Sequence, residues 1–587
     1  MIVGDPLKKV LHIDLSIKRF WVEERNDLFE KFIGGVGVAS QLLSEECGKK
    51  TDPLGPENPI IFAVGPLTGS FPLASKTVSM FKSPLTGNLG ESHAGGRSAI
   101  AIRMAGYGAI VIKGQSSEPV YIAVHENRVY FKNASVLWGM GNSYSVGRIL
   151  RERESGAGLR TIMKIGRAGE ELISYASVIT ETYRHFGRLG LGAVFGSKKL
   201  KAIVISGNNS LKVNNVKQYR KTYDEIYNSV VNSPAMNKYH ELGTPMNVNV
   251  LNSIEALPTR NLKEAKFEYA DNISGEAFLE KYLGRRIACA HCPVSCIHLA
   301  ALRESYDSDP YFFKTTMISY DYEPIFSLGS MLGIPNPDEL LRLLEEIEIL
   351  GFDAMSAGVV LAWATESQEA GLISEKDTFG IRFKWGDYRS YIKALRLVIK
   401  CENEFYEALG RGVEHTSTVY GGDDFALAFG GNEMPGYHTG PAVYIGFLTG
   451  ARHSHLDNAG YSLDQKVISS NEKLTPDETA NKLLSEEIWR QILSSLVVCF
   501  FARGIYTPEI VTKALEIMGY NLTYDDSLNI GREILKIKNN FKKENGFNEN
   551  NLRIPKRIFE TKAPTGKFTE EYIRQGVSAY FKLLNSD

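Results

Sequence analysis

Residues 59–69 read Pro-Ile-Ile-Phe-Ala-Val-Gly-Pro-Leu-Thr-Gly. An apolar run of strand length, rich in β-branched and aromatic side chains, ends in a Gly-Pro turn. The same grammar recurs on both sides of it. Ala109–Ile112 stops before Gly114, Val120–Val124 follows within a few residues, and Lys201–Ile205 closes the series. Leu11–Leu15 and Val129–Phe131 alternate apolar and polar residues, the mark of a half-buried strand. Many short strands joined by glycine turns predict sheets built largely from antiparallel neighbours.

Beyond Asn208-Asn209 the pattern changes to helix. Val216–Val231 has apolar residues at helical spacing, and Asp338–Leu350 (DELLRLLEEIEIL) is strongly amphipathic behind Pro335-Asn336-Pro337. Thr475 caps a helix with Pro476 in its first turn that runs to about Leu496. Thr507–Met518 repeats that design with Pro508, and Ser527–Phe541 follows. The polar stretch Lys542–Asn551 reads as a surface loop. The expected class is α+β: a β-rich domain at 1–210, a central helical domain at 211–420 and a C-terminal helical domain at 421–587, the last boundary set by Gly421-Gly422-Asp423-Asp424.

Composition narrows the function. The chain has 587 residues, and 67 basic side chains balance 68 acidic ones, which leaves local charged patches open but removes any case for a whole surface tuned to nucleic acid or to an anionic membrane. No apolar run approaches the ~20 residues of a membrane span. The start, MIVGDPLKKV, carries no secretory signal, so the expected location is cytoplasmic.

Six cysteines in a chain this long are too few for a disulfide framework. Cys289, Cys292 and Cys296 form C-x2-C-x3-C, while Cys47, Cys401 and Cys499 stand alone. Three thiolates from one tight loop, with a fourth from elsewhere, suit a [4Fe–4S] cluster. Zinc is the alternative, with His291 and His298 at hand. Spacing alone leaves Cys47, Cys401 and Cys499 equal as fourth ligand. No Gly-x-Gly-x-x-Gly unit follows a strand, and Gly34-Gly35-Val36-Gly37 has the wrong spacing, so nicotinamide and flavin folds are not indicated.

Three glycine and basic segments remain. They are Lys82–Gly87 leading to Glu91–Arg97 (ESHAGGR), Met104–Tyr107, and Arg184–Lys198 (RHFGRLGLGAVFGSK). Each is either a loop that lets backbone amides and cations meet a phosphate-bearing cofactor, or a plain turn with solvated charges. With the cysteines and with Gly65–Gly69, Tyr322-Glu323, Asn432–Tyr437, Asn545–Phe547 and Ile554–Arg557 in this order, the chain resembles the aldehyde ferredoxin oxidoreductase family almost end to end.

That resemblance implies a saddle of two sheets under a tungsten, or molybdenum, bis-pterin, covered by two helical domains. The metal would be held by pterin dithiolenes. Cofactor contacts would fall at Gly95, Gly96, Arg97, Arg184, Gly187, Arg188 and Gly190, with Lys76 where the family has an arginine. Main-chain oxygens of His93 and His185 would hold magnesium. The family's D-x-x-G-L-(D or C) loops match Glu348–Asp353, including Gly351, and Ser494–Cys499, including Val498, where acid and glycine are both replaced. The second match selects Cys499 as fourth cluster ligand. The resemblance also assigns Glu323 as active-site acid and His455 as active-site histidine, with His453 competing and Tyr437 and His438 as further pocket candidates.

The implied activity is oxidation of an aldehyde to a carboxylic acid, with electrons passing to ferredoxin. The alternative is reduction of an acid or aromatic substrate, or a catalytic subunit joined to a ferredoxin-like subunit. A homodimer is possible. Some relatives bridge subunits through a metal held by glutamate and histidine of the central domain. The absence of histidine between His298 and His415 predicts no such metal here.

Overall fold

The structure is a computed structural model, and it describes residues 6–154, 156, 159–211, 213, 215–306, 309–470 and 472–586. The first five residues, part of the segment read above for a secretory signal, lie outside these.

Residues up to 207 build two six-stranded sheets. The first uses β1 (Lys9–Asp14), β2 (Arg19–Glu24), β3 (Ile60–Ala63), β4 (Thr77–Lys82), β5 (Leu89–Ala94) and β6 (Ala109–Lys113) in the order β2-β1-β6-β3-β4-β5. The second uses β7 (Val120–His125), β8 (Arg128–Asn133), β9 (Leu159–Ile165), β10 (Val178–Thr180), β11 (Arg184–Phe186) and β12 (Leu200–Gly207) in the order β11-β10-β9-β12-β7-β8. Neighbours are antiparallel except β1 with β6 and β7 with β12. Strands β3 and β4 are buried along their whole length, so both faces of the sheet are covered there. The two sheets meet where their terminal strands β5 and β11 lie against each other.

The rest is mainly helical. The helices at Val216–Val231, Pro337–Leu350, Pro476–Ser495, Pro508–Ile517 and Tyr524–Glu544 fall where the pattern placed them. Thr475 closes a full capping box with Glu478. One apolar core runs through all regions, from Phe62 of the sheets to Trp363, Tyr444 and Tyr580 of the helices.

Two expectations are corrected. The segment from Lys542 is not a loop throughout, because the helix continues to Glu544 and Lys542 is buried, its Nζ 2.9 Å from His453 Nε2 and 4.1 Å from the Phe547 ring centre. The central region also carries an antiparallel sheet of β13 (Leu283–Ile287), β14 (Ile297–Tyr306) and β15 (Asp309–Tyr320). Its register sets His298 opposite Tyr320. The cysteine loop, which leads into β14, and Glu323, just past β15, are therefore brought to the same end of one ribbon.

Candidate active site

A cavity of about 340 Å³ opens between the sheets and the helical cover. Its sheet side presents Lys76, His93, Arg184, His185, Gly187 and Arg188; its helical side presents Glu323, Glu348, Asp353, His455, Val498 and Cys499. These twelve sequence-predicted residues therefore share one wall or the other. Gly95, Gly96, Arg97, Gly190, Gly351, Cys289, Cys292 and Cys296 do not line it.

The glycine and basic motifs divide cleanly. Lys82–Gly87 is the hairpin turn between β4 and β5, its Ser83 hydroxyl donating to Leu189 O at 2.8 Å. Gly106 ends a helix in the left-handed region, and Lys198 donates to Pro56 O at 2.9 Å. Of the third motif, Arg184, His185 and Gly187–Leu189 face the cavity. Arg97 is exposed, and Gly190 is packed against Ser174 O and Pro84 as the start of a helix.

Cation placement on the sheet side is rigid. Arg188 donates from Nε to Asp353 Oδ2 (3.2 Å) and from Nη2 to Glu433 O (2.8 Å), while Asp353 caps the helix Ala354–Glu369 through Met355 N and Ser356 N. His185 Nε2 lies 2.8 Å from Glu348 Oε2. Burial opposes the charge of Arg184, and the neighbouring Cys289, Asp321, Cys296 and Cys499 more than restore it. Arg184 Nε and Arg188 Nη1 are buried without a hydrogen-bond acceptor. Buried donors of this kind call for an anionic or polar partner. His93 Nε2 pairs with Glu91 Oε1 at 2.7 Å, and Glu91 is in turn held by Lys538 Nζ at 2.5 Å and Arg452 Nε at 3.6 Å.

The cysteines converge with that wall. A Cβ on Gly95 would sit 2.7 Å from Cys289 Sγ, 3.6 Å from Lys76 Nζ and 3.8 Å from Arg184 Nε, so only glycine permits this approach. Ala290 N donates to Gly96 O at 2.9 Å. Leu73 bridges the two cysteine segments: its N–H donates to His291 O (3.0 Å) and its carbonyl accepts from Cys499 N (2.9 Å). Cys292, Cys296 and Cys499 pack on one apolar cluster. Cys47 is buried in a different core, and Cys401 is an exposed helix cap donating to Val398 O. Burial, the adjacent thiols adding to it, pushes Cys292 and Cys296 up to about 12. Thiolates in that place need a positive centre, and the donor set fits an iron–sulfur cluster. Among the described residues no three His, Cys, Asp or Glu side chains are placed to hold a single metal ion.

The two loops matched to D-x-x-G-L-(D or C) share a backbone feature. Gly351 ends one helix at φ 84°, and Val497 follows the end of another at φ 55°. The left-handed conformation survives where the glycine does not, which supports the match that selected Cys499.

Glu323 and His455 meet at the helical wall. Glu323 belongs to a four-residue helix, Tyr322–Ile325, fixed by Tyr322 N donating to Thr244 Oγ1 (2.9 Å) and by the Tyr322 hydroxyl on Gly436 O. His455 opens the helix His455–Asn458, held by the Ser454–Asp457 capping box. His455 Nε2 stands 3.2 Å from Glu323 Oε1, and the Tyr437 hydroxyl lies 3.5 Å from the same oxygen. Burial works to raise the Glu323 carboxyl, but hydrogen bonding and charge from His455 outweigh it and leave its pKa below the ordinary value. His453 and His438 are elsewhere, bonded to Lys542 and Phe447 O and to Tyr444 and Thr561 O.

Sequence reasoning missed Asp321, Tyr239, Tyr461, Arg452, Arg490 and Arg503, which also line the cavity. Burial, with Glu323 next to it, pushes Asp321 up to about 7. Asp321 lies two residues from Glu323 on a β–α junction, a signal that was available. The arginines lack any local signal.

Comparison with known proteins accounts for this arrangement. A two-sheet base and a helical cover enclose a cation-lined cavity with a cysteine group at its edge, an arrangement suited to holding a redox cofactor. Residues 10–207 match the model of the aldehyde ferredoxin oxidoreductase N-terminal domain, and 221–587 match the model of its domains 2 and 3. The chain belongs to the aldehyde ferredoxin oxidoreductase family, whose tungsten enzymes imply a tungsten bis-pterin cofactor. It is 31% identical to the tungsten-containing aldehyde ferredoxin oxidoreductase of Thermococcus kodakarensis, over 98% of this chain and 95% of the relative. It is 27% identical to the aliphatic sulfonate oxidoreductase WOR-like subunit of Pyrococcus furiosus, over 90% of this chain and 85% of that one. The active site complex BamBC of benzoyl coenzyme A reductase, in complex with 1,5-dienoyl-CoA, shares the fold with a TM-score of 0.85 at 20% identity, covering 100% of this chain and 95% of that one. No helix among the described residues is long and apolar enough to cross a membrane.

Proposed function

We propose that the protein oxidises an aldehyde to a carboxylic acid beside Glu323 and His455. The net change is RCHO + H2O → RCOO⁻ + 3 H⁺ + 2 e⁻. The observation that carries this reading is the Glu323–His455 pair, 3.2 Å apart on the cavity wall, with His455 buried and Glu323 half-buried. A tungsten bis-pterin held by Lys76, Arg184, Arg188 and Asp353 would supply the two-electron acceptor. A [4Fe–4S] cluster on Cys289, Cys292, Cys296 and Cys499 would supply the one-electron outlet toward ferredoxin or a ferredoxin-like subunit. Magnesium would be held by the main-chain oxygens of His93 and His185, hard donors carried on β5 and β11, the terminal strands that lie against each other.

This chain's residues do the proton work. His455 holds Glu323 ionised, so that its carboxylate can orient water or a carbonyl hydrate and accept a proton. The Tyr437 hydroxyl, 3.5 Å from Glu323 Oε1, is placed to orient that carboxylate or the substrate oxygen. Six cysteines without a disulfide suit the reducing cytoplasm. We assign the units as 1–210, 211–420 and 421–587. Dye reduction by a panel of aldehydes tests the reading: turnover lost in Glu323→Gln with metal content retained supports it. A wild-type holoenzyme that reduces acids or aromatic thioesters and leaves every aldehyde untouched would replace it with the reductive alternative.

A further inference from the structure

The helical wall of the cavity carries six aromatic rings: Tyr239, Phe352, Tyr437, Tyr461, Phe500 and Phe501. Two pairs are stacked, Tyr437 on Tyr461 at 4.4 Å and 24°, and Tyr239 on Phe501 at 4.3 Å and 12°. The Tyr437 ring also lies 5.1 Å from the His455 ring, so this aromatic surface begins at the proposed reacting corner. The same wall holds three arginines. Arg452 is matched by Asp457 at 2.6 Å and Arg490 by Glu486 at 2.8 Å. Among the described residues Arg503 has no carboxylate partner. Its Nη1 donates to Phe500 O at 2.9 Å, and its guanidinium also bonds and bears on the Tyr239 phenol.

We propose that the site takes an aromatic aldehyde bearing a carboxylate on the far side of the ring, and that Arg503 selects it. This rests on the aldehyde reading above. The stacked rings accept a flat aryl group, since aromatic faces prefer offset partners. The Nε–Nη2 edge of Arg503 is a planar fork without an acid of its own. A single fork matches the two oxygens of a carboxylate in parallel hydrogen bonds. A half-buried cation with only neutral partners leaves a charge that an anionic substrate would pair. Arg503 is thus assigned to substrate selection, and Glu323 to the proton chemistry.

The test compares 4-formylbenzoate with benzaldehyde in dye-coupled turnover by the purified holoenzyme, together with calorimetric binding of terephthalate, which cannot be oxidised further at the aldehyde level. In Arg503→Gln the ratio of kcat/KM for 4-formylbenzoate over benzaldehyde should fall about 10–100-fold, the weight of a charge-assisted hydrogen bond, and terephthalate affinity should fall with it. Arg503→Lys should lose several-fold, because it keeps charge and loses the fork. If Arg503→Gln does not fold, the lysine variant decides. An unchanged ratio together with unchanged terephthalate binding overturns the proposal. If aliphatic aldehydes are turned over and neither aromatic one is, the proposal falls; if no aldehyde of the panel is turned over, the aldehyde reading falls by itself. The terephthalate comparison then stands alone: weaker binding in the variant supports the anion site and equal binding removes it.

Discussion

The two walls of the cavity are built on opposite principles. The sheet wall offers Lys76, Arg184, Arg188 and two histidines but no Phe, Tyr or Trp ring. Its side chains are fixed by strands and by glycines through which sulfur and cations approach the backbone, as at Gly95. The helical wall offers six aromatic rings, Glu323, His455 and Cys499, carried on short helices and helix ends. A group with several negative charges needs many fixed donors, and strands hold donors at fixed spacing. Substrate recognition and proton transfer need a few groups at particular positions, and helix junctions present single side chains from several directions. The difference teaches where to look for each property: fixed cations in the sheets, aromatic surface and proton chemistry in the helical cover.

The comparison is broken most severely at the seam between the walls. Cys499→Ser should remove most of the iron or change the reduced-state EPR signal, while Cys47→Ser and Cys401→Ser keep both, because those thiols lie in another core and at an exposed helix end. An unchanged cluster in the Cys499 variant would detach that helix end from the site. On the helical wall, Glu323→Gln should leave metal content near normal and reduce turnover by about 10²-fold or more, the scale of a positioned base. Loss of metal in that variant would make Glu323 a holding residue instead.

On the sheet wall, Gly95→Ala should act through packing. The added methyl meets Cys289 Sγ at 2.7 Å, and overpacking of this kind costs about 1–3 kcal/mol. Thermal unfolding of the holoprotein should show a lower Tm and released iron at a lower temperature. A variant as stable as the parent would mean that the cysteine loop is free to move. The smallest effect concerns pH. His455 holds the Glu323 pKa down against burial, so in His455→Gln burial acts unopposed and the pKa rises. Glu323 then becomes protonated at higher pH on the way down. The acid limb of kcat/KM should move to higher pH, and a limb that stays in place would assign it to another group.

Legibility followed the range of the forces involved. The strands and amphipathic helices are local patterns, and Thr475 or Pro476 could be read as a helix start without knowing anything distant. The sheet β13–β15 was not legible, because Arg303, Glu304 and Lys314 interrupt the alternation of an exposed ribbon. Lys542 misled for a related reason: its charge suggests solvent, yet His453 and Phe547, far away in sequence or beyond the helix end, bury it. Resemblance to the family singled out Glu323, His455 and Cys499 among many equals. It did not single out Arg452, Lys538 and Glu91, whose buried network exists only once the C-terminal helices close on the sheets. Nor could any local pattern separate the half of Arg184–Lys198 that faces the cavity from the half that caps carbonyls.

The central claim is that both walls close on a tungsten bis-pterin with a four-iron cluster at the seam. Metal analysis of the purified, anaerobically handled protein tests it most directly. The account predicts about one tungsten or molybdenum and about four iron atoms per chain. Iron near that level with neither tungsten nor molybdenum would contradict it, leaving an electron relay in place of an aldehyde-oxidising enzyme.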